Sequence, residues 1–389
     1  MIILAIETSC DDTGISIIKL QSSKKKRGQI NFSDFEILSD CVSSQAEIHS
    51  PYGGVFPALA KREHQKALLP LLIKSLKNSK LLKENKKGVD NKKILRVQKI
   101  LKRNPEIFKG LKEFLKKYSV PEINGIAVTV GPGLEPCLYT GVNLAKALSF
   151  YWNVPLSGIN HIEAHVLSSW LSPIEKIEFP AIALVVSGGN TQIILMENIG
   201  KYKLIGETRD DAAGECFDKT ARILGLGYPG GPAIHKEAKK RKKAVLGITL
   251  PRPMFYDKNY DFSFSGLKTA VLYDLKKRKE GKTPQYVEEM SYEIERAIID
   301  VLTHKTLKAA EDFKAKSIIL GGGVSANKEL AKEFKKRCKE KKINCIIPLS
   351  KFSGDNASMV GLTALFSPHI KKTAWQKIKP SSNLKINEQ

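Results

Sequence analysis

Two histidines four residues apart are the side chains whose types and spacing point most directly to chemistry. His161 and His165 lie in the stretch NHIEAHVLSSW, which is typical of a helix. Side chains four residues apart share one helix face, so both imidazole rings can reach one metal ion. Zinc proteases place a glutamate directly after the first histidine, but here Ile162 follows and Glu163 lies off that face. The pair therefore indicates either two metal ligands without a protease's general base, or two helix histidines that bind nothing.

Three turns follow strand-like runs and expose backbone N–H groups. ETSCDDT lies between two β-rich runs near the N-terminus, SGGN follows AIALVV, and GGG follows SIIL and opens a helix at about Ser325. Such turns, and helix N-termini that a ligand can approach closely, suit phosphate groups. One such turn alone is typical of a plain tight turn, whereas three of them in an α/β chain favour a nucleotide in a cleft.

The elements that would position these groups alternate between strands and helices. Ile2–Ile6 and Gly14–Leu20 are predicted strands around the acidic turn. A Gly/Pro loop then leads into an amphipathic helix with Leu68, Leu69, Leu72 and Leu76 in register. A chain of 389 residues exceeds what one hydrophobic core usually supports, so two packed lobes are predicted.

The formal net charge of +24 is unevenly distributed. Between Lys74 and Lys117 there are sixteen lysine or arginine residues and four acidic ones, a net charge of +12. This excess favours either contact with nucleic-acid phosphates or the bias of a lysine-rich proteome. Three further residues lie at the start of the leucine-rich helix, namely Lys61, Arg62 and His64. They are expected to face either nucleic-acid phosphates or solvent.

Composition and patterning disfavour several classes of protein. No run of about eighteen apolar residues is present, so no membrane span is expected. The N-terminus MIILAIETSCDDTG lacks a basic region and soon becomes acidic, which indicates a strand rather than a signal peptide. The six cysteines are scattered without a C-x-x-C pair, so free thiols in a reducing cytoplasm are expected.

Eight motifs occur in an order that resembles one family. They are IETSCDDTG, GPGLEPCLYTGVNLAKAL, NHIEAH, VVSGGNTQ, GETRDDAAGECFDKTARILGLGYPGGP, DFSFSGLKTAV, GGGVSAN and GDNASMVG. By these motifs the chain is similar to the TsaD family, the tRNA N6-adenosine threonylcarbamoyltransferases. The resemblance runs from Met1 to about Ser367, apart from the lysine-rich segment, and DDAAGECFDKT with YPGG is its most specific part.

The resemblance implies an α/β chain with the two-lobed actin–Hsp70–sugar-kinase (ASKHA) fold, in which duplicated RNase H-like subdomains close over a nucleotide. Residues 1–158 are then predicted to form an N-terminal lobe, with a lysine-rich insertion at about 78–118 that holds one or two short amphipathic helices. Residues 159–355 are predicted to form a C-terminal lobe, and residues 356–389 a C-terminal helix and polar tail.

The resemblance also implies an acyltransferase. The family transfers the threonylcarbamoyl group from threonylcarbamoyl-AMP to N6 of adenosine 37 in tRNAs that read ANN codons, which forms t6A and releases AMP. An exocyclic adenine amine is a poor nucleophile, so the acyl group must arrive activated and aligned with it. The alternatives are a small-molecule kinase of the same superfamily and a nucleotide-binding scaffold without catalysis of its own.

For the metal, the resemblance implies that His161 and His165 are ligands together with Asp355 of GDNAS. A His₂–Asp set with open positions suits iron(II), with zinc as the alternative. The ion would lie against the phosphate or the transferred carbonyl, where charge develops during transfer. The alternative for Asp355 is an N-cap of the helix that follows it.

Further positions match the substrate-binding residues of the family. They are Val185, Val186, Ser187, Gly188, Gly189, Asp218, Gly231 and Asn327. Glycine in the SGG turn lets the backbone approach a phosphate, while Asp218 and Gly231 are expected to hold the adenosine end. The two valines are equally consistent with a place in the core, and Asn327 with helix capping.

In the first acidic turn, Asp11 is the expected catalytic residue. A carboxylate there would orient the adenine amine or take its proton. Asp12 shares the turn, and for both residues the alternative is a simple hairpin turn, in which aspartate is common.

The expected partners are tRNA, threonylcarbamoyl-AMP and, in a bacterial-type complex, a TsaB-like paralogue and a TsaE-like ATPase. One position departs from the bacterial pattern, because Asn190 stands where many bacterial members have histidine. The stretch GETRDDAAGE and the lack of a fused kinase resemble the bacterial branch. The lysine-rich insertion is expected to alter a partner interface, add a tRNA contact or form a tolerated surface loop.

Overall fold

The computed structural model describes residues 1–21, 34–86, 88–172, 177–278, 281–366 and 374–387. Parts of the predicted lysine-rich insertion and C-terminal tail, at residues 87, 367–373 and 388–389, lie outside the described residues. The strands are β1 (Ile2–Glu7), β2 (Asp12–Leu20), β3 (Phe35–Ser44), β4 (Gly125–Gly131), β5 (Leu156–Asn160), β6 (Ala181–Val186), β7 (Thr191–Asn198), β8 (Lys201–Glu207), β9 (Ser317–Gly321) and β10 (Asn344–Ile346). The helices are α1 (Ala46–His49), α2 (Pro57–Asn78), α3 (Asn91–Ile100), α4 (Pro105–Lys117), α5 (Glu135–Trp152), α6 (His161–Leu167), α7 (Ala213–Leu224), α8 (Gly230–Ala238), α9 (Ser265–Lys277), α10 (Pro284–Asp312), α11 (Lys328–Lys341) and α12 (Ala357–Phe366).

These strands form two five-stranded sheets that share one order. The first sheet has the order β3-β2-β1-β4-β5, and the second has the order β10-β9-β6-β7-β8. In each sheet the first three strands of the sequence are antiparallel neighbours, the fourth pairs in parallel with the first, and the fifth pairs in parallel with the fourth. Counted within its own half of the chain, each sheet therefore has the arrangement 3-2-1-4-5. The predicted duplication of RNase H-like subdomains in an ASKHA-type α/β fold is confirmed.

The chain divides into two compact units, each containing one sheet. The first unit comprises residues 1–45, 55–173 and 355–389, and the second unit comprises residues 46–54 and 174–354. The sequence-based division placed the boundary of the lobes earlier, so that both histidines of NHIEAH fell in the C-terminal lobe.

Packing explains where the units differ from the predicted lobes. α6 starts directly at the end of β5, and α12 packs against β1 and β2, so both helices belong with the first sheet. The short segment around α1 joins the second unit, because Arg222 of α7 donates a hydrogen bond to the carbonyl oxygen of Gly53.

In the first unit, three parallel strands bring distant residues to one edge of the sheet. β1, β4 and β5 are parallel neighbours, so their carboxyl ends at Glu7, Gly131 and Asn160 lie together. The leucine register predicted for α2 is confirmed, because Leu68, Leu72 and Leu76 are fully buried beneath it. The predicted N-terminal strand is confirmed as β1.

The second unit repeats this arrangement with different residues. β6 and β9 are parallel neighbours, so the SGG turn after Val186 and the triple-glycine turn after Leu320 leave the same edge. At Gly322, with φ +83°, an added Cβ would collide with the carbonyl oxygen of Val186. Glycine is required there because the two turns approach so closely.

The lysine-rich segment forms α3 and α4, the two short helices that its pattern allows. Asp90 caps α3 by accepting hydrogen bonds from the backbone N–H groups of Lys92 (2.9 Å) and Lys93 (3.2 Å). Ile94 and Val97 bury one face of α3 in the core of the first unit.

Within the described ranges, no helix combines the length and the apolar character that crossing a bilayer requires.

Candidate metal centre and substrate-binding turns

At the carboxyl edge of the first sheet, the local structure at the end of β5 fixes the two histidines. Asn160 is the N-cap of α6, and its side-chain oxygen accepts hydrogen bonds from the backbone N–H groups of Ile162 (2.9 Å) and Glu163 (3.2 Å). The helix therefore begins at His161, and His165 follows one turn later on the same face.

The two imidazole rings meet the carboxylate of Asp355, which precedes α12. His165 Nε2 lies 3.1 Å from His161 Nε2 and 3.0 Å from Asp355 Oδ1, and His161 Nε2 lies 3.5 Å from the same oxygen. Atoms that bind one ion at about 2.1 Å are separated by about 3.0 Å in octahedral and about 3.4 Å in tetrahedral geometry. Within the described part of the chain, these three residues are the one group of His, Cys, Asp or Glu side chains close enough to share an ion.

Glu7, which the sequence analysis did not single out, orients this cluster. Its Oε2 lies 3.2 Å from His161 Nδ1 and accepts a hydrogen bond from Thr129 Oγ1 at 2.5 Å. A carboxylate on the outer nitrogen of a histidine fixes the ring and directs the other nitrogen to the metal. The sequence gives little indication of this role, because a glutamate at the end of an apolar strand is informative only when its neighbours in the fold are known.

Ser9 connects the two carboxylates on either side of the histidines. Its backbone N–H donates to Glu7 Oε1 at 2.5 Å, and its hydroxyl lies 3.5 Å from Asp355 Oδ2. The acidic turn after β1 is thereby attached directly to the cluster.

The charges in the cluster compensate one another. Burial lowers the pKa of His161, but the carboxylates of Asp355 and Glu7 outweigh burial and raise it to about 9. Burial and the charge of His161 lower the pKa of His165. Burial opposes ionisation of Asp355, yet the two histidines hold its pKa well below the usual range. The buried carboxylates thus demand a positive charge, which His161 supplies by holding a second proton.

This donor set fits a divalent cation, which would provide the same compensation once His161 Nε2 has released its proton. The side chain of His165 is fully buried and that of His161 is 6% exposed, while that of Asp355 is 17% exposed, so open coordination positions would lie on the side of the carboxylate. One feature fits less well, since the buried Nδ1 of His165 has no hydrogen-bond partner among the described residues.

The C-terminal tail also reaches this edge. Lys385 O accepts a hydrogen bond from Asn160 Nδ2 at 3.1 Å, which directs the other end of that amide towards α6. Ser381 N donates to Val130 O at 2.7 Å, and Gly133 N donates to Ser382 O at 3.1 Å. The tail therefore braces both the GPG turn and the cap of the histidine helix.

Of the two turn aspartates, Asp12 has the more unusual environment. Burial, followed by the charge of Asp355, raises the pKa of Asp12 to about 7. Asp11 lies one residue earlier, where its backbone oxygen accepts a hydrogen bond from Gln45 N at 3.2 Å.

The prediction that His64 faces phosphates or solvent is wrong. Its side chain is fully buried, with Nδ1 2.7 Å from Thr13 Oγ1 and Nε2 2.9 Å from Cys10 O. His64 instead holds the acidic turn in place, because the helix face that carries it is turned towards β2.

In the second unit, the SGG turn is tight and open to solvent. Ser187 N donates to Asn190 O at 2.8 Å, and Asn190 N donates to Ser187 Oγ at 3.2 Å. A Cβ on Gly188 or Gly189 would meet no described atom within 4 Å, so packing does not require glycine at either position. The two glycines leave the backbone of the turn accessible.

Val185 and Val186 lie in the core, which was the alternative to ligand contact. Their side chains are 0% and 1% exposed, because they alternate between the two covered faces of the sheet. A ligand at this turn would meet their backbone and not their side chains.

Asp218 lies beside the start of α8, the helix that contains Gly231. Asp218 Oδ1 accepts a hydrogen bond from Gly230 N at 2.6 Å, which caps the start of α8. Gly230 must be glycine because a Cβ would lie 2.5 Å from the Cα of Asp218, whereas a Cβ on Gly231 would meet no described atom within 4 Å.

Asn327 is the N-cap of α11, with its side-chain oxygen 3.0 Å from Leu330 N. Its amide nitrogen donates to Glu295 Oε1 at 2.7 Å, and the same oxygen lies 2.8 Å from His235 Nδ1. Asn327 is therefore a helix cap, as the alternative in the sequence analysis stated. Glu295 links α8 to α11 through contacts that could not be seen in the sequence.

The structure thus gathers the predicted residues into two groups. His161, His165 and Asp355 meet in the first unit near the acidic turn. The eight predicted substrate-binding residues all belong to the second unit.

Comparison with known proteins adds the family. The TsaD family, described as tRNA N6-adenosine threonylcarbamoyltransferase, matches residues 36–89 and 105–362. The unmatched internal stretch, residues 90–104, is shorter than the predicted insertion and contains α3. A tRNA N6-adenosine threonylcarbamoyltransferase of Thermosipho africanus is 38% identical over 99% of this chain and 100% of its own length. The same-named protein of Thermosipho melanesiensis is 40% identical over 93% of each chain.

Solved structures resemble the chain more distantly. The activator of 2-hydroxyisocaproyl-CoA dehydratase from Clostridium difficile, with bound ADPNP, covers 94% of both chains at 10% identity and a TM-score of 0.45. Likeness at this level supports no conclusion about activity. The family match and the full-length relatives are much stronger, and they show that this chain belongs to the TsaD family of tRNA N6-adenosine threonylcarbamoyltransferases.

Proposed function

We propose that this chain transfers a threonylcarbamoyl group from threonylcarbamoyl-AMP to N6 of adenosine 37 in tRNAs that read ANN codons, forming t6A and AMP. The family provides the reaction class, a transferase that acts on N6 of adenosine in tRNA. The observation that carries the proposal is the convergence of His161, His165 and Asp355 on one point beside Glu7.

In this proposal His161, His165 and Asp355 hold one divalent metal, with iron(II) preferred to zinc. Two imidazoles and one carboxylate with open positions are a ligand set that iron(II) favours. A bound cation supplies a Lewis acid for negative charge on the phosphate or carbonyl oxygen. Glu7 holds the ring of His161 in the orientation that ligation needs.

The transfer itself needs a base. The lone pair of N6 bonds to the carbonyl carbon, the bond from that carbon to the phosphate oxygen breaks, and AMP leaves with the bonding electrons. N6 must then lose a proton, which in this proposal a carboxylate of the acidic turn takes. Asp11 is the residue favoured by the family motif, while Asp12 has a pKa of about 7, the value that suits a base at neutral pH.

The second unit contributes the nucleotide site in this proposal. The open SGG turn offers backbone N–H groups to the phosphate. Asp218 and Gly231 hold the adenosine end, where the open space over Gly231 leaves room for a base or ribose. Asn327 contributes by fixing the start of α11 through its contact with Glu295.

We also propose that the chain acts in the cytoplasm with a TsaB-like paralogue and a TsaE-like ATPase. Its similarity to bacterial relatives and the six cysteines, all free, support this placement. Co-purification of the tagged chain with those two proteins from its own cells is the direct test.

The test of the reaction is reconstitution with unmodified tRNA and synthetic threonylcarbamoyl-AMP, followed by mass spectrometry of the tRNA nucleosides. We expect His161→Ala and Asp355→Ala each to lower t6A formation by at least about 100-fold and to abolish stoichiometric metal binding. His304→Ala, a histidine substitution in α10, is the matched control and should leave both unchanged.

Three results would contradict the proposal. Normal t6A formation by both cluster variants would remove the metal role. Phosphorylation of a sugar from ATP without any t6A formation would favour the superfamily kinase instead. Loss of t6A with retained metal binding in both variants would also contradict the assigned ligands.

A further inference from the structure

The helix that lies outside the family match carries an unusual set of charges. Residues 90–104 fall outside the family match and contain α3. After the capping Asp90, this stretch has no acidic residue and six basic ones, namely Lys92, Lys93, Arg96, Lys99, Lys102 and Arg103. Like charges this close on a helix destabilise it, so folding alone does not explain them.

The three faces of this helix have different partners. Ile94, Val97 and Leu101 bury one face in the core. Lys92 and Lys99 are exposed on the outward face, where seven residues of helix span about 10 Å, and Lys102 is exposed just after the helix ends. Among the described residues, none of the six cations forms a salt bridge.

The remaining three cations lie over aromatic rings. Lys93 Nζ is 5.7 Å from the ring centre of Tyr151, and Arg103 is 5.7 Å from that of Tyr139. Arg96 is 5.9 Å from the ring centre of Trp375, in the C-terminal tail. Rings hold a cation in place without neutralising its charge, so the positive potential stays available to a ligand.

Neighbouring elements extend the same potential. Lys146 of α5 lies near Lys379 of the tail. The pKa of Lys146 is lowered first by burial and second by the positive charge of Lys379. Trp375 packs edge-on against Phe150 of α5, with ring centres 5.8 Å apart. The tail, α3 and α5 therefore form one connected basic surface.

Several cations of the second unit, by contrast, are paired with carboxylates. Arg252 bonds both Glu293 and Asp300, and Arg337 lies 2.6 Å from Glu333. The six cations of residues 90–104 have no such carboxylate partners among the described residues.

We propose that the α3 surface, defined by Lys92, Lys93, Arg96, Lys99, Lys102, Arg103, Lys146 and Lys379, binds the phosphate backbone of the tRNA substrate. This inference rests on the proposed function for the identity of the RNA. Unpaired cations on a fixed scaffold gain free energy by releasing the counterions of a polyanion. A membrane surface fits less well, because a membrane-binding helix exposes its apolar face, and the apolar face of α3 is buried.

The test compares two triple variants with the same loss of charge. The variant K92Q/K99Q/K102Q removes the outward stripe without touching the core or the aromatic contacts. The matched control K335Q/K336Q/K339Q removes three exposed lysines from α11. Binding of unmodified tRNA is measured by fluorescence anisotropy at several salt concentrations, and KM and kcat for tRNA are measured in the reconstituted reaction.

We expect the α3 variant to bind tRNA about tenfold or more weakly near 0.1 M salt, with the slope of log K against log salt reduced by about 2 to 3. KM for tRNA should rise while kcat at saturating tRNA is unchanged. The α11 control should match the wild type in slope and affinity.

Equal affinity and slope for the α3 variant and the wild type would overturn the inference while leaving the proposed function intact. An equal loss in the α11 control would overturn it too, since net charge alone would then matter. Binding to phosphatidylglycerol–phosphatidylcholine vesicles that depends on the stripe, with tRNA binding unaffected, would assign the surface to membranes instead. If wild-type protein binds tRNA through the stripe but forms no t6A, the surface assignment stands and the proposed function fails.

Discussion

The two sheets have the same strand order, yet the turns that leave their carboxyl edges are built in opposite ways. In the first unit the edge is made of side chains, with Glu7, Ser9 and Asp355 arranged around two imidazoles. In the second unit the edge is made of backbone, and glycines keep it clear of side chains. One topology therefore carries a cluster of side chains at this edge in one half and an open backbone turn in the other.

This difference follows from what surrounds each turn. At the end of β1, Glu7 is fully buried among partners that can donate hydrogen bonds, and these bonds stabilise its negative charge. At the end of β6, Gly322 packs against the backbone of Val186 and Gly214 against the backbone of the SGG turn, so a side chain fits at neither position. The comparison predicts that side-chain changes damage binding in the first unit, whereas backbone crowding damages stability in the second.

The largest effect on stability is expected for Gly322→Ala in the second unit. Its φ of +83° disfavours alanine, and the new Cβ would collide with Val186 O, so we expect the free energy of unfolding to fall by about 3 kcal/mol. The neighbouring Gly323→Ala is the control, because its Cβ would meet no described atom within 4 Å. Urea unfolding of both variants measures the difference, and similar losses in the two would contradict the packing argument.

A somewhat smaller effect, on binding, is expected for Glu7→Gln in the first unit. An amide still accepts a hydrogen bond from His161 but carries no charge, so we expect metal affinity to fall about 10- to 100-fold. Competition titration against a chelating dye measures it. Ser187→Ala in the equivalent turn of the second unit should leave metal affinity unchanged, and if it weakens binding as much, the two turns do not have separate roles.

A third prediction concerns pH and Asp12. Its pKa of about 7 in the folded chain exceeds the ordinary 3.8, so the folded state binds a proton that the unfolded state has released, and stability falls as the pH rises from about 4 to 7. Asp12→Asn removes this loss and should stabilise the metal-free protein by about 1 to 3 kcal/mol at pH 8, with no gain below pH 4. Denaturant unfolding at several pH values, with chelator present, measures the gain. An equal effect at all pH values would point to packing and not to titration.

The smallest effect is expected for Asn160→Ala, which removes the cap of the histidine helix. We expect a loss of about 1 kcal/mol in the free energy of unfolding and a modest loss of metal affinity, because α6 would fray at His161. Asn327→Ala removes the cap of α11 in the second unit and should cost similar stability without any change in metal affinity. Thermal unfolding and the same dye titration distinguish the two.

Much of the site was predictable because its residues stand in short, characteristic motifs. His161 and His165 are one helical turn apart, and family motifs add Asp355, Asp218 and Gly231 without knowledge of the fold. Glu7 and Ser9 were not predictable as part of the cluster, because their role depends on β1 lying beside β4. The burial of His64 was missed as well, since a basic stretch at a helix start gives no sign of which face turns inward.

The sequence by itself determined the family, the alternation of strands and helices, and the residue types of the cluster, because each of these is carried by local patterns of spacing and composition. The tertiary structure decided which of those residues meet. Glu7 and His161 are 154 positions apart, and Asn160 and Lys385 are 225 apart, yet both pairs are joined by hydrogen bonds. Parallel strand pairing brings such positions to one edge of a sheet, and no local pattern records that pairing because its partners are distant along the chain.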